Sequence, residues 1–186
     1  MKIRIIRKLK SLQYLRDSGA GFDWHNNDAN NALDTLEVYD DAGNLELRCS
    51  VQTVANLEGL DPGVHFYDTL APGKFQLRYG VDPRAFKCHP WGIVGATTKS
   101  GDRILAEVDS HGRPTENDST TATNKSRWLM HDRKDHNGND TRVCWSAGCI
   151  VHQDDSTLEA INELAASSGL KPWDLVDVEL FEEADD

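Results

Sequence analysis

Two short segments carry the residue types that do covalent chemistry. Ser146-Ala147-Gly148-Cys149-Ile150 sets a cysteine behind small residues, and Trp128-Leu129-Met130-His131-Asp132 sets a histidine behind an apolar run. A thiol attacks a carbonyl at neutral pH once a neighbouring group takes its proton or stabilises the thiolate, and an imidazole does both. Cys149 is therefore the candidate nucleophile and His131 the candidate general base. The small residues before Cys149 let the backbone turn tightly, so that the Gly148 and Cys149 amides can point at the oxygen of an attacked carbonyl. Asp132, through its carbonyl or carboxylate, or Ser146 is placed to orient the imidazole. The plainer alternative for any single cysteine is a buried, inert thiol that packs as a small hydrophobe.

Alternating and helical patterns supply the elements that must hold these groups. Residues 35–39 and 45–51 alternate on either side of Asp40-Asp41-Ala42-Gly43-Asn44, which predicts a hairpin around a Gly/Asn turn. Val176, Val178 and Leu180 alternate with Asp177 and Glu179, which predicts a closing strand. Between Ser156 and Ser168 the apolar residues Leu158, Ile161, Leu164 and Ala165 fall on one helical face. Ser156 and Glu159 fit a capping box at its start, and Gly169 fits a C-terminal stop.

From Leu36 onward, about four fifths of the chain, the order of these pieces resembles the catalytic domain of the L,D-transpeptidases. These are bacterial enzymes that process peptidoglycan stem peptides with a cysteine nucleophile. Thr69-Leu70-Ala71-Pro72-Gly73-Lys74-Phe75-Gln76-Leu77 is similar to that family's Thr-Pro-x-Gly-x-Phe segment, His131 stands in the place of its His-Gly element, and Ser146 to Cys149 in that of Ser-His-Gly-Cys. The resemblance implies a mainly β fold with some α, an L,D-transpeptidase-like β-sandwich with one substantial helix near the C-terminus. It also implies acyl transfer at an L-centre to D-residue amide of a stem peptide, without a metal or other cofactor. Two departures stand out. Ala147 replaces the family's second His, and Ile150-Val151-His152 replaces an apolar residue followed by Arg or Asn. His152 is either a replacement for a lost polar contact to substrate or a solvated imidazole before a helix.

Arg133 and Arg142 are candidates for gripping a substrate carboxylate, because guanidinium forms bidentate pairs with it; surface ion pairing is the plainer role. Trp145, with Trp91 and Trp128, is a core or cleft-wall aromatic, and Trp145 is taken as a substrate contact. The polar stretch from His111 to Ser126 leads into the strand carrying His131 and is placed as a lid or as plain disorder. The competing chemistry is zinc. Cys88, His89, His131, Cys144, Cys149 and His152 are the right residue types, yet no Cys-x-x-Cys or His-x-x-x-His pair occurs. A third class is a wall-binding module that kept the fold and lost the chemistry; Ala147 speaks for it, Cys149 and His131 against.

Charge divides the 186 residues unevenly. The first 16 carry +6, from Lys2, Arg4, Arg7, Lys8, Lys10 and Arg16, leaving −17 on the remainder of a chain with net charge −11. The expected organisation is a basic N-terminal arm, 1–30, on a catalytic domain, 31–186. Such an arm suits an anionic lipid or wall polymer, or else it is a strand or helix held against its own acidic domain. An acidic body argues against a nucleic-acid partner. No apolar run reaches bilayer length, and residues 3–15 lack the continuous apolar core of a secretory signal. The expectation is therefore synthesis in the cytoplasm and action on the wall after release or delivery, as a phage lysin or injected toxin would act. Hydrolysis or D-residue exchange is then favoured over cross-linking. Four cysteines, Cys49, Cys88, Cys144 and Cys149, leave the redox compartment open; Cys144 is close enough to bridge Cys149 on oxidation, or packs beside Trp145.

Overall fold

The structure is a computed structural model that describes residues 1–8, 33–54, 69–79, 91–101, 104, 129–131, 149–152, 154–172 and 174–183. Eight strands follow in chain order: β1 (Lys2–Lys8), β2 (Asp34–Tyr39), β3 (Leu45–Gln52), β4 (Gly73–Tyr79), β5 (Trp91–Val94), β6 (Leu129–His131), β7 (Ile150–His152) and β8 (Leu175–Glu183). One helix, α1 (Asp155–Ser167), lies between β7 and β8.

The strands close on themselves in the order β1-β2-β3-β7-β6-β5-β4-β8. This overturns the expected β-sandwich: β8 pairs with β4 on one side and with β1 on the other, so the sheet has no free edge and curls into a barrel. The mainly β character holds, and among the described residues one helix lies near the C-terminus. Two pairs, β1 with β8 and β6 with β7, are parallel, and the other six are antiparallel.

An eight-stranded barrel is just wide enough for side chains to fill. Inward positions follow the period-2 alternation: Ile3 and Ile5 of β1 meet Val38 and Leu36 of β2, and Val178 and Leu180 of β8. Phe75, Leu77, Trp91, Ile93, Met130 and Ile150 complete the same buried cluster. The outward positions of β1 and β8 are mostly charged, with Lys2 opposite Asp177, Arg4 opposite Glu179 and Lys8 opposite Glu183, while Ile6 stands opposite Phe181 between them. Arg4 also stacks on the Phe181 ring, 4.8 Å from its centroid. Lys2–Lys8 of the basic segment is thus a barrel strand held against an acidic strand of the same chain; residues 9–32 lie outside the described ones. Among the described residues no helix is long and apolar enough to cross a membrane.

The predicted hairpin is β2–β3. Gly43 turns it at φ 87°, and Asp40 fastens it by accepting from the Asn44 amide at 2.8 Å. The predicted helix is α1, one residue earlier at each end. Its cap is Asp154 rather than Ser156: the Asp154 carboxylate accepts from the Ser156 amide at 2.9 Å. Gly169, at φ 79°, ends it in a Schellman turn, with the Gly169 and Leu170 amides donating to Ala166 and Ala165 carbonyls. Leu158, Ile161 and Ala165 join the barrel's core cluster, and Trp91 donates its indole N–H to Asn162 at 2.8 Å, so the helix is packed against the barrel core.

A charge network is buried at the end of the barrel where β1 finishes. Arg7 points inward with no exposure, donating to Thr53 Oγ1 and the Leu70 carbonyl, each at 2.7 Å, and to Glu182 Oε1 and the Thr53 carbonyl, each at 3.0 Å. Arginine has only donors, so Thr53 must accept from it and give its own proton to Asp34, which also accepts from the Lys8 amide. Lys99 adds a second cation on Glu182 at 2.8 Å.

Candidate active site

β6 and β7 are adjacent and parallel, with Met130 opposite Ile150 and His131 opposite Val151. Met130 and Ile150 are fully buried in the barrel core, so the next residue on each strand, His131 and Val151, points to the outer face. Cys149 precedes Ile150 and shares that outer parity. The two candidate catalytic residues thus come from sequence-distant segments onto one face of neighbouring strands. Cys149 is 8 % exposed and is a thiol rather than a disulfide, and His131 is partly exposed.

The row containing His131 extends one strand further. Val151 is also the register partner of Gln52 on β3, so Gln52, Val151 and His131 lie side by side on the outer face. Nothing local in the sequence marks Gln52, because only the β3–β7 pairing brings it here. Its side chain is buried; Nε2 donates to the Val54 carbonyl at 2.9 Å, and Oε1 has no hydrogen-bond partner.

His152 faces the opposite way, into the barrel beside Val51, and is fully buried, which rules out the solvated imidazole. Its tautomer follows from its neighbours. Thr157 gives its hydroxyl proton to the Asp154 carbonyl at 2.7 Å, so at 2.8 Å it must accept from His152 Nδ1–H. Nε2 is then an unprotonated acceptor, buried without a partner. Burial, joined by repulsion from His131, pushes the imidazole down to about 3 from its ordinary 6.5. Cys49 lies 3.9 Å from Nδ1, and burial pushes its thiol up to about 11, partly opposed by a hydrogen bond with Thr157. Both groups are neutral at physiological pH and belong to the core.

His152 makes stability depend on pH. The unfolded chain takes up a proton near 6.5 and the native imidazole does not until about 3, so this contribution is complete above 6.5 and is lost as pH falls toward 3. Between pH 7 and pH 5 the wild type is expected to lose about 2 kcal/mol through this one group. Replacing His152 by Leu leaves Thr157 its bond to Asp154 and should flatten the dependence over that window, measured as urea unfolding free energies of the two proteins. Equal pH slopes would contradict a neutral buried imidazole.

Gly148, Ser146, Asp132, Arg133, Arg142 and Trp145 lie outside the described residues, as do Cys88, His89, Cys144 and the stretch 111–126. Trp91 is a core residue rather than a cleft wall. Among the described residues no group of three or more His, Cys, Asp or Glu is arranged to hold a metal.

The chain is 35 % identical over 169 residues to an uncharacterized protein of Treponema pallidum (strain Nichols), a match covering 88 % of this chain and 72 % of the relative. The chain belongs to that protein's family. No family model and no solved structure matches it.

Proposed function

We propose that this protein is a cysteine acyltransferase acting on peptidoglycan stem peptides. The observation that carries the reading is that His131 of β6 is paired with Val151 of the parallel neighbour β7, and Cys149 immediately precedes that strand, two residues from Val151. A two-residue diagonal between neighbouring strands separates Cα atoms by roughly 8 Å, a gap that an imidazole and a thiol leaning toward each other can span. The Cys149 thiol loses its proton to His131 and its sulfur attacks the carbonyl at an L-centre to D-residue amide, forming a tetrahedral oxyanion. Collapse breaks the C–N bond, and His131 returns the proton to the departing amine. The resulting thioester passes its acyl group to water, which regenerates the thiol, or to a second amine, which exchanges or cross-links the peptide. The Gly148 and Cys149 amides are assigned to the oxyanion, and Arg133, Arg142 and Trp145 to the substrate.

Mass analysis of tetrapeptide muropeptides incubated with the purified protein tests this directly. Loss or exchange of the terminal D-residue should exceed formation of L,D-linked dimers, because water and small amines reach the thioester at far higher concentration than a second muropeptide. Dimers as the main product would reverse the choice of acceptor, and unchanged muropeptides would remove the reading altogether.

A further inference from the structure

Between the C-terminal turn of α1 and the β2–β3 hairpin lies a cavity of about 150 Å³, half open to solvent. Its floor is apolar, built from Leu164 and from the Met1 and Val38 side chains, which are almost fully buried. A dry space of this size takes a body about as large as benzene. The rim has the opposite character, with Asp40 and Glu46 on the hairpin side and Ser167 and Ser168 on the helix side. The last turn of a helix carries roughly half a negative charge on its open carbonyls, which a Lys, Arg or His commonly answers. The last turn of α1 has no basic residue. The Met1 ammonium is the one cation in this lining, and it is already paired with Asp41. Hydrogen bonds from Asn44 hold the Asp40 carboxyl below its usual range, so it stays ionised. Glu46, exposed at the mouth, has no hydrogen-bond or ion-pair partner among the described residues. An apolar floor under an uncompensated negative rim calls for a ligand with an apolar body and a cationic head.

We propose that this cavity binds a short alkyl chain ending in a primary ammonium. The alkyl carbons cover Leu164, Val38 and Met1, and the ammonium meets Glu46 and the end of α1. A guanidinium suits the rim less well. Both Asp40 oxygens already accept from Asn44, at 2.8 Å each, so a planar fork finds no open pair there, whereas the three donors of an ammonium can be met one at a time. Glu46 and Gln52 stand six residues apart on β3, roughly 20 Å of extended strand. Gln52 lies in the row of His131, so the cavity is a second site and its ligand does not depend on the acyltransferase reading.

The test titrates the full chain with n-pentylammonium and follows the amide signals of Val38, Glu46 and Ser167 by NMR. Saturable shifts at these residues are expected, with Kd on the order of 1 mM for so small a ligand. Pentan-1-ol, which keeps the chain and drops the charge, should bind at least about 10-fold more weakly. Glu46→Gln should weaken the ammonium about 3- to 10-fold. Ser167→Lys sets a tethered cation at the end of α1 and should weaken it by at least about 10-fold. Both substitutions are at exposed positions, so the fold is expected to survive them. Nα-acetyl-lysine amide separates the two sources of such a group: binding at least as tight as n-pentylammonium supports a lysine side chain of a peptide, and binding more than about 10-fold weaker supports a free alkylamine. Pentan-1-ol binding as well as the ammonium, affinity unchanged in both variants, or no saturable shift at these residues overturns the proposal. None of these results bears on Cys149 or His131, whose test is the muropeptide product.

Discussion

Cys149→Ala is expected to abolish the proposed turnover of stem peptides and to leave the unfolding midpoint close to that of the wild type. A nucleophile cannot be replaced by its neighbours, so the expected loss in kcat is at least about 10⁴-fold. The stability change is expected within about 1 kcal/mol, since one sulfur is removed at the start of a strand outside the core cluster. Cys49→Ala is the matched control. Its thiol is pushed up to about 11 and packs against the core, so it carries almost no thiolate at neutral pH. Iodoacetamide should accordingly label Cys149 before Cys49 and inactivate the protein in step with that first label. Full turnover by Cys149→Ala would remove the covalent mechanism.

Arg7→Met is expected to cost about 3–5 kcal/mol in denaturant unfolding, the largest stability loss of any single substitution considered for the barrel. The methionine fills much of the volume, so the loss comes from stranded partners. Thr53 Oγ1, the Thr53 and Leu70 carbonyls and Glu182 all lose a donor, and the buried Asp34 loses the compensating positive charge. Burial pulls the Arg7 guanidinium down while Asp34 and Glu182 oppose it, so those counter-charges offset the cost of burying the cation. Arg7→Lys should recover little of the loss, because one ammonium cannot reach four acceptors set for a planar fork. A change below about 1 kcal/mol for Arg7→Met would show that this end of the barrel is held by something other than the charge network.

The sequence made the elements readable wherever one face alternates cleanly. Val176, Val178 and Leu180 give β8, and the spacing of Leu158, Ile161 and Ala165 gives α1, because burial on one side imposes a period on the chain. The same logic operates in β1, where Ile3 and Ile5 alternate with Lys2 and Arg4. There the charges dominate the reading, and Arg7 breaks the pattern by being both charged and inward. Closure was not readable, since it depends on β8 choosing two partners, one of them more than 160 residues away in the chain. Residue type alone pointed to His131 and Cys149. Gln52 carried no such mark, because only the β3–β7 pairing sets it in the row of His131.

The parallel pairing of β1 with β8 also sets a clock on biosynthesis. A ribosome that has released β1 still has every other strand to make before Leu175–Glu183 emerges, and until then β1 has only β2 as a strand partner. At ordinary elongation rates of about 5–20 residues per second, that interval is on the order of ten seconds or more, with a sticky strand edge open throughout. Lys2, Arg4 and Lys8 along that edge discourage other chains from joining it, so the basic stripe that ends up neutralised in the finished barrel does its protective work during the wait.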